Sequence, residues 1–122
     1  MASVIYDALA VPWLDYLVGT KCYASLHFEE PDPADPAASE ITGPTYARAP
    51  LTWDFAKDTT RTVWNVQDLS WLNLDTVTIV GVGAWTEPTK GNFLVFAQLD
   101  DPYPVPDRGS YQLAANGLFV HV

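Results

Sequence analysis

The sequence predicts a mainly β protein, an antiparallel β-sandwich with a short N-terminal helix or arm. Apolar residues recur at every second position in several separate runs, the period of a strand with one face in a core. Ten Pro and seven Gly among 122 residues punctuate those runs at short intervals and leave little room for long helices. With 48% apolar and 13% aromatic residues, the chain can fill one core without disulfides or metals. The expected division is a helix or arm over residues 1–19 followed by a sandwich over 20–122.

Residues 3–18 carry Ile5, Leu9, Trp13 and Leu17 at four-residue spacing, one stripe of a helix. Ser3 is the expected N-cap and Gly19 the stop, while Pro12 predicts a kink. In residues 20–28, Cys22, Ala24, Leu26 and Phe28 share one face, and Lys21, Tyr23, Ser25 and His27 the other, the pattern of a half-buried strand. Residues 29–45 hold four Pro, five carboxylates and no Lys or Arg, and so predict a long acidic surface loop.

Residues 46–55 alternate cleanly, with Ala47, Ala49, Leu51, Trp53 and Phe55 opposed to Tyr46, Arg48, Thr52 and Asp54. Pro50 marks this run as an edge strand or a bulge, and the alanine pair leaves room for a bulky neighbour or another subunit. Residues 62–75 read as a strand through Trp64 and Val66, after which the parity moves to Leu69 and Trp71, a bulge or a second short strand. Residues 76–86 are apolar on both faces, as in a central strand, and Gly81 and Gly83 predict close approach of a neighbour. A turn at 87–92 leads to an antiparallel partner at 93–99, and 100–109 reads as a Pro-rich loop. Tyr111 and Leu113 form a short strand, Asn116-Gly117 a turn, and Leu118, Val120 and Val122 a last strand alternating with Phe119 and His121.

A net charge of −9 argues against nucleic-acid and anionic-membrane partners, which need clustered Lys and Arg. No run approaches a membrane span, and the N-terminus lacks the basic start of a cleaved signal, so a soluble, non-secreted protein is expected. One cysteine, Cys22, forms no internal disulfide, and two histidines complete no zinc site. No phosphate-cradling or nucleophile-elbow motif is present, and Gly81-Val82-Gly83 lacks the third glycine of a dinucleotide fingerprint. Cys22 and His27 stand roughly 17 Å apart along one strand, on opposite faces, and cannot form a dyad there. The expectation is no catalytic residue, no metal and no cofactor. Glu30, Asp32 and Asp35 offer oxygen ligands, but without calcium-loop spacing they read as a solvated acidic surface, with calcium as the alternative. His121 reads as exposed or as a subunit contact.

Arg48 has two readings. In one it covers the sheet with its aliphatic stem and pairs with a nearby acid; in the other it anchors an interface together with Tyr46. The candidate interface residues are Tyr46, Arg48, Trp13, Leu17 and Trp53. Most of the five Trp are expected in the core, with one or two exposed as contact or sugar-stacking platforms.

The run Gly43-Pro44-Thr45-Tyr46-Ala47-Arg48-Ala49-Pro50-Leu51-Thr52-Trp53 resembles a Gly-x-x-Tyr-Ala-Arg-x-x-[Val/Leu]-Thr-Trp signature of small virion proteins of tailed bacteriophages, many from phages of actinobacteria. Leu26-His27 before the Pro/Asp-rich loop, Val77-Thr78 with Gly81, Gly91-Asn92-Phe93-Leu94, and the Tyr111-x-Leu113 and Gly117-Leu118-x-Val120 close are similar in order. The resemblance implies a non-enzymatic virion protein, a tail fibre or minor tail component or a capsid decoration. Such a protein would be assembled in the host cytoplasm and bound to other tail or capsid subunits, as a symmetric homo-oligomer with three as the expected number. A carbohydrate-binding module for host attachment is the alternative, and a small hydrolase with a coupled acid pair is a distant third.

Overall fold

The computed structural model describes residues 7–57 and 61–121. Among these residues one α-helix, α1 (Asp7–Gly19), precedes nine antiparallel strands. They are β1 (Cys22–His27), β2 (Ala49–Leu51), β3 (Trp53–Phe55), β4 (Thr62–Asn65), β5 (Leu69–Leu74), β6 (Val77–Trp85), β7 (Phe93–Val105), β8 (Gly109–Leu113) and β9 (Phe119–His121). A four-stranded sheet runs β2-β1-β6-β7, a three-stranded sheet β3-β4-β9, and β5 pairs with β8. The predicted fold class is therefore the observed one: sheets stacked as a sandwich, with one short helix at the start.

The interior forms between the sheets. Val82 and Ala84 of β6 and Val95 and Ala97 of β7 face Trp53, Leu118 and Val120 across it. Cys22, Ala24 and Leu26 of β1 join the same core, as the alternation predicts. Phe28, the fourth residue of that stripe, lies past the strand end and is exposed. Helix α1 packs against β3 and β4. Among its described side chains, Leu14 and Leu17 are buried, at 0% and 1% exposure, while Trp13 is 42% exposed. The stripe is thus 14/17 and not 13/17: with Pro12 in the helix, the i, i+3 pair meets the sheet. Ser3 and Ile5 lie outside the described residues. No helix among the described residues is long and apolar enough to cross a membrane.

Two strand boundaries differ from the sequence reading, and at a third the structure selects one of its two alternatives, the second short strand. The 46–55 run is not one strand: the chain leaves the first sheet after Leu51 and enters the second at Trp53. Period two survives the crossing because both residues point into the shared core. Pro50 does sit on an edge strand, opposite Tyr23. The parity break in 62–75 is the division between β4 and β5, which belong to different sheets. The Pro-rich stretch from 100 is not all loop, because β7 runs for 13 residues to Val105. Pro102 and Pro104 are tolerated there because β7 is the sheet's outer strand, with one edge free of ladder bonds.

Candidate functional site

β1 is not half-buried. Ser25 and His27, on its expected polar face, are both fully buried. The acidic loop folds back over that face. Phe28 N–H donates to Ser39 O (3.0 Å), and Ile41 N–H donates to Leu26 O (2.9 Å). Between these tethers the chain makes an Asx turn, in which Ala34 N–H donates to the Asp32 carboxylate (2.9 Å), and a single 3₁₀ turn over Pro36–Ser39. Asp32 thus caps its own backbone.

The glycines of β6 make room for this cover. A Cβ on Gly83 would lie 2.5 Å from the Phe93 ring, 2.7 Å from His27 Nε2 and 2.8 Å from Ser25 Oγ; one on Gly81 would lie 2.3 Å from Phe96. The close approach predicted from the sequence is therefore real, and its occupants are aromatic rings and a polar cluster. In that cluster Trp85 Nε1 donates to Ser25 Oγ (2.8 Å), Ser25 Oγ lies 2.7 Å from His27 Nε2, His27 Nδ1 lies 2.8 Å from Ser39 Oγ, and Ser39 Oγ donates to Pro36 O (3.2 Å). The rings of Phe93 and Phe96 pack on His27 at 5.6 and 5.5 Å. Burial, partly offset by the Glu40 charge and reinforced by the Arg48 charge, lowers the His27 pKa to about 4.

Beside this cluster lies a second, charged one. Arg48 forms a bidentate pair with Glu40, Nε to Oε2 at 3.0 Å and Nη2 to Oε1 at 2.9 Å. Its Nη1 donates to the carbonyls of Glu87 (3.0 Å) and Lys90 (2.7 Å) in the β6–β7 turn. The guanidinium carbon stands 3.8 Å over the Trp85 ring. Tyr46 Oη donates to Glu40 Oε2 (2.6 Å) and accepts from Leu26 N–H (3.1 Å). Burial, and then the Glu40 hydrogen bond and charge, hold the Tyr46 phenol well above its ordinary pKa. The side chains of Arg48 and Glu40 are only 6% and 12% exposed. Arg48 therefore ties the end of the acidic loop to β6 and the β6–β7 turn, and Tyr46 ties it to β1. A groove of about 380 Å³ opens beside it, lined by Ile41, Tyr46, Arg48, Pro88 and Lys90 among others.

Of the sequence-predicted site residues, the structure brings Tyr46 and Arg48 together on Glu40. Leu17 and Trp53 lie in the core. Trp13 stands apart on the outer side of α1, one turn from Tyr16, which is also exposed. Trp53, Trp71 and Trp85 are buried. His121 is exposed, with Nδ1 2.6 Å from Thr62 Oγ1 on β4. Sequence reasoning missed Ser25, His27, Ser39 and Glu40 as a unit. It also missed Asn65, whose buried amide bonds the backbone of Gln67, Ala114 and Leu118 and fixes the 114–118 turn. The signal for the first group was the pair Gly81 and Gly83, which marked a covered face without naming what covers it.

The Ser25–His27 contact has the geometry of an activated serine, but both residues are fully buried, His27 lies against the Phe93 and Phe96 rings, and Ser25 Oγ is already taken by Trp85 Nε1. Among the described residues no group of three or more His, Cys, Asp or Glu is arranged to hold a metal ion. The polar clusters of this sandwich close on one another and brace a loop. The chain's relationship is specific: the family described as podophage GP4 fiber I protein gp80 matches residues 13–121, and the chain belongs to that family of bacteriophage fibre proteins. No curated protein matches the chain.

Proposed function

We propose that this chain is a non-enzymatic accessory component of the phage tail fibre that acts through protein–protein assembly as a symmetric homo-oligomer, with a trimer as the favoured number. The family match over residues 13–121 carries this reading. The mechanism is mechanical. The Arg48–Glu40–Tyr46 brace fixes the acidic loop on a rigid sheet, so that the loop offers one shape to a partner. The Trp13 and Tyr16 face of α1 supplies apolar contact area of the kind enriched at interfaces. A net charge of −9 keeps free subunits apart before assembly and favours a basic surface on the partner.

Light scattering on the purified chain, alone and mixed with other fibre and tail proteins, tests the reading. Concentration-dependent oligomers or complexes are expected, and Trp13→Ala should weaken them while Lys90→Ala does not. A monomer under every condition would overturn it. A sugar-stacking role would rest on Trp13, the one tryptophan among the described residues that is largely exposed. Quenching of its fluorescence by a host glycan would favour that role over assembly.

A further inference from the structure

The hydrogen bonds around His27 fix where its proton sits. Each serine hydroxyl carries one proton. Ser39 gives its proton to Pro36 O, so it must accept from His27, and the ring is protonated at Nδ1. Nε2 is then bare and accepts the Ser25 proton, while Ser25 Oγ accepts Trp85 Nε1–H. The chain of donors runs one way, from Trp85 and Ser25 to His27 and from His27 through Ser39 to Pro36, and every member is satisfied only if the imidazole is neutral. A second ring proton, on Nε2, would meet an oxygen that already accepts from Trp85. It would also turn the Ser25 proton away from its acceptor, in a site walled by Gly83 and Phe93.

We propose that His27 is a proton-sensitive clasp: neutral, it holds the Ser39 end of the acidic loop closed over β1, and protonation of its ring releases that end. The charged groups facing it are few. Glu40, at the end of the loop, favours the imidazolium, and Arg48 opposes it. Tyr46 keeps its proton, and Phe93 and Phe96 on β7 carry no charge. The clasp is coupled to the brace, because Ser39 and Glu40 are adjacent and the backbone of Glu40 bridges that of His27. The inference does not depend on what the fibre protein binds.

Two measurements on the full chain test it. Nitrogen chemical shifts of the His27 ring should report the Nδ1–H form at about pH 7, with the ring still neutral at about pH 5. Hydrogen exchange, corrected for intrinsic rates, should show the Phe28 and Ile41 amides losing protection by at least about tenfold between about pH 6.5 and about pH 4. His27→Gln, which bridges the serines but takes no proton, should hold protection over that range, while Glu40→Gln should still lose it. Equal acid loss in His27→Gln would assign the opening to the carboxylate and overturn the clasp. An Nε2–H ring, or one that titrates near its ordinary value, would overturn it in the native chain even if the glutamine variant failed to fold.

Discussion

Arg48→Ala is expected to cost far more than the loss of a surface ion pair. The substitution leaves Glu40 nearly buried, at 12% exposure, with its countercharge gone and only the Tyr46 hydroxyl still donating to it. Removing one member of a buried pair costs about 3–5 kcal/mol, because the remaining charge has lost both water and partner. The carbonyls of Glu87 and Lys90 lie in an exposed turn and can rehydrate, so they add little. The guanidinium over Trp85 adds up to about 2 kcal/mol at a desolvated site. A total of about 3–7 kcal/mol is a large share of the roughly 5–15 kcal/mol that holds a domain together, and it should lower Tm by on the order of 10–25 °C.

Thermal and urea unfolding of Arg48→Ala, Glu40→Gln and the double variant form the assay. The double variant should be more stable than the sum of the singles predicts, by about 1–3 kcal/mol, since it removes both charges together. A cost below about 1 kcal/mol for Arg48→Ala, or strict additivity, would refute the brace and return Arg48 to an ordinary surface residue. Arg48→Lys separates folding from assembly. It keeps the charge, loses the fork, and should stay folded and assemble normally. A folded Arg48→Lys protein that no longer assembles would make Arg48 an interface anchor.

Gly83→Ala should destabilise by about 1–3 kcal/mol, because its methyl would enter the space of Phe93 and His27, while Gly19→Ala, with nothing within 4 Å, should be close to neutral; Tm values decide both. Leu14→Ala should cost about 2–5 kcal/mol in urea unfolding, whereas Trp13→Ala should leave stability within about 0.5 kcal/mol and act on complex formation. Stability should fall with acid through His27. The unfolded ring takes up its proton near 6.5 but the folded ring only near about 4, so the unfolded state binds more protons between those values. About 3 kcal/mol present above pH 6.5 should be lost by about pH 4, read as the difference between wild type and His27→Gln in urea midpoints across pH.

What the sequence made legible follows from what alternation can encode. It marks which side chains share a face, so Cys22, Ala24 and Leu26, the central strand around Val82, and the edge position of Pro50 could all be read directly. Alternation does not mark which sheet a strand joins, and so Leu51 and Trp53, in phase but in different sheets, looked like one ribbon. Nor does it show whether a polar face meets water or a folded-back loop. Ser25 and His27 are polar by type and buried by position, because residues 12 to 14 positions further along return to cover them. In the helix, four-residue spacing favoured Trp13 and Leu17, whereas contact with β3 and β4 chose Leu14 and Leu17.

The placement of Tyr46 and Arg48 changes what a short motif in this protein means. Both side chains end on one carboxylate, Glu40, and reach it from positions two apart in an extended segment, so they lie on one side of it and close like a pair of fingers. Alanine at 47 is exposed between them and leaves that approach open. The spacing Tyr-x-Arg is therefore explained by an internal geometry, the fixing of a proline-rich acidic loop whose own backbone makes few regular hydrogen bonds. Contacts with a partner have to come from side chains that this fixing leaves outside, and the exposed large apolar ones among the described residues are Trp13 and Tyr16 on α1, Phe28 where the loop begins, Val66 after β4, Leu72 on β5, Tyr103 on β7 and Phe119 on β9. A chain of this kind can vary those residues to change what it assembles with and keep Tyr46, Arg48 and Glu40 to preserve the shape that presents them.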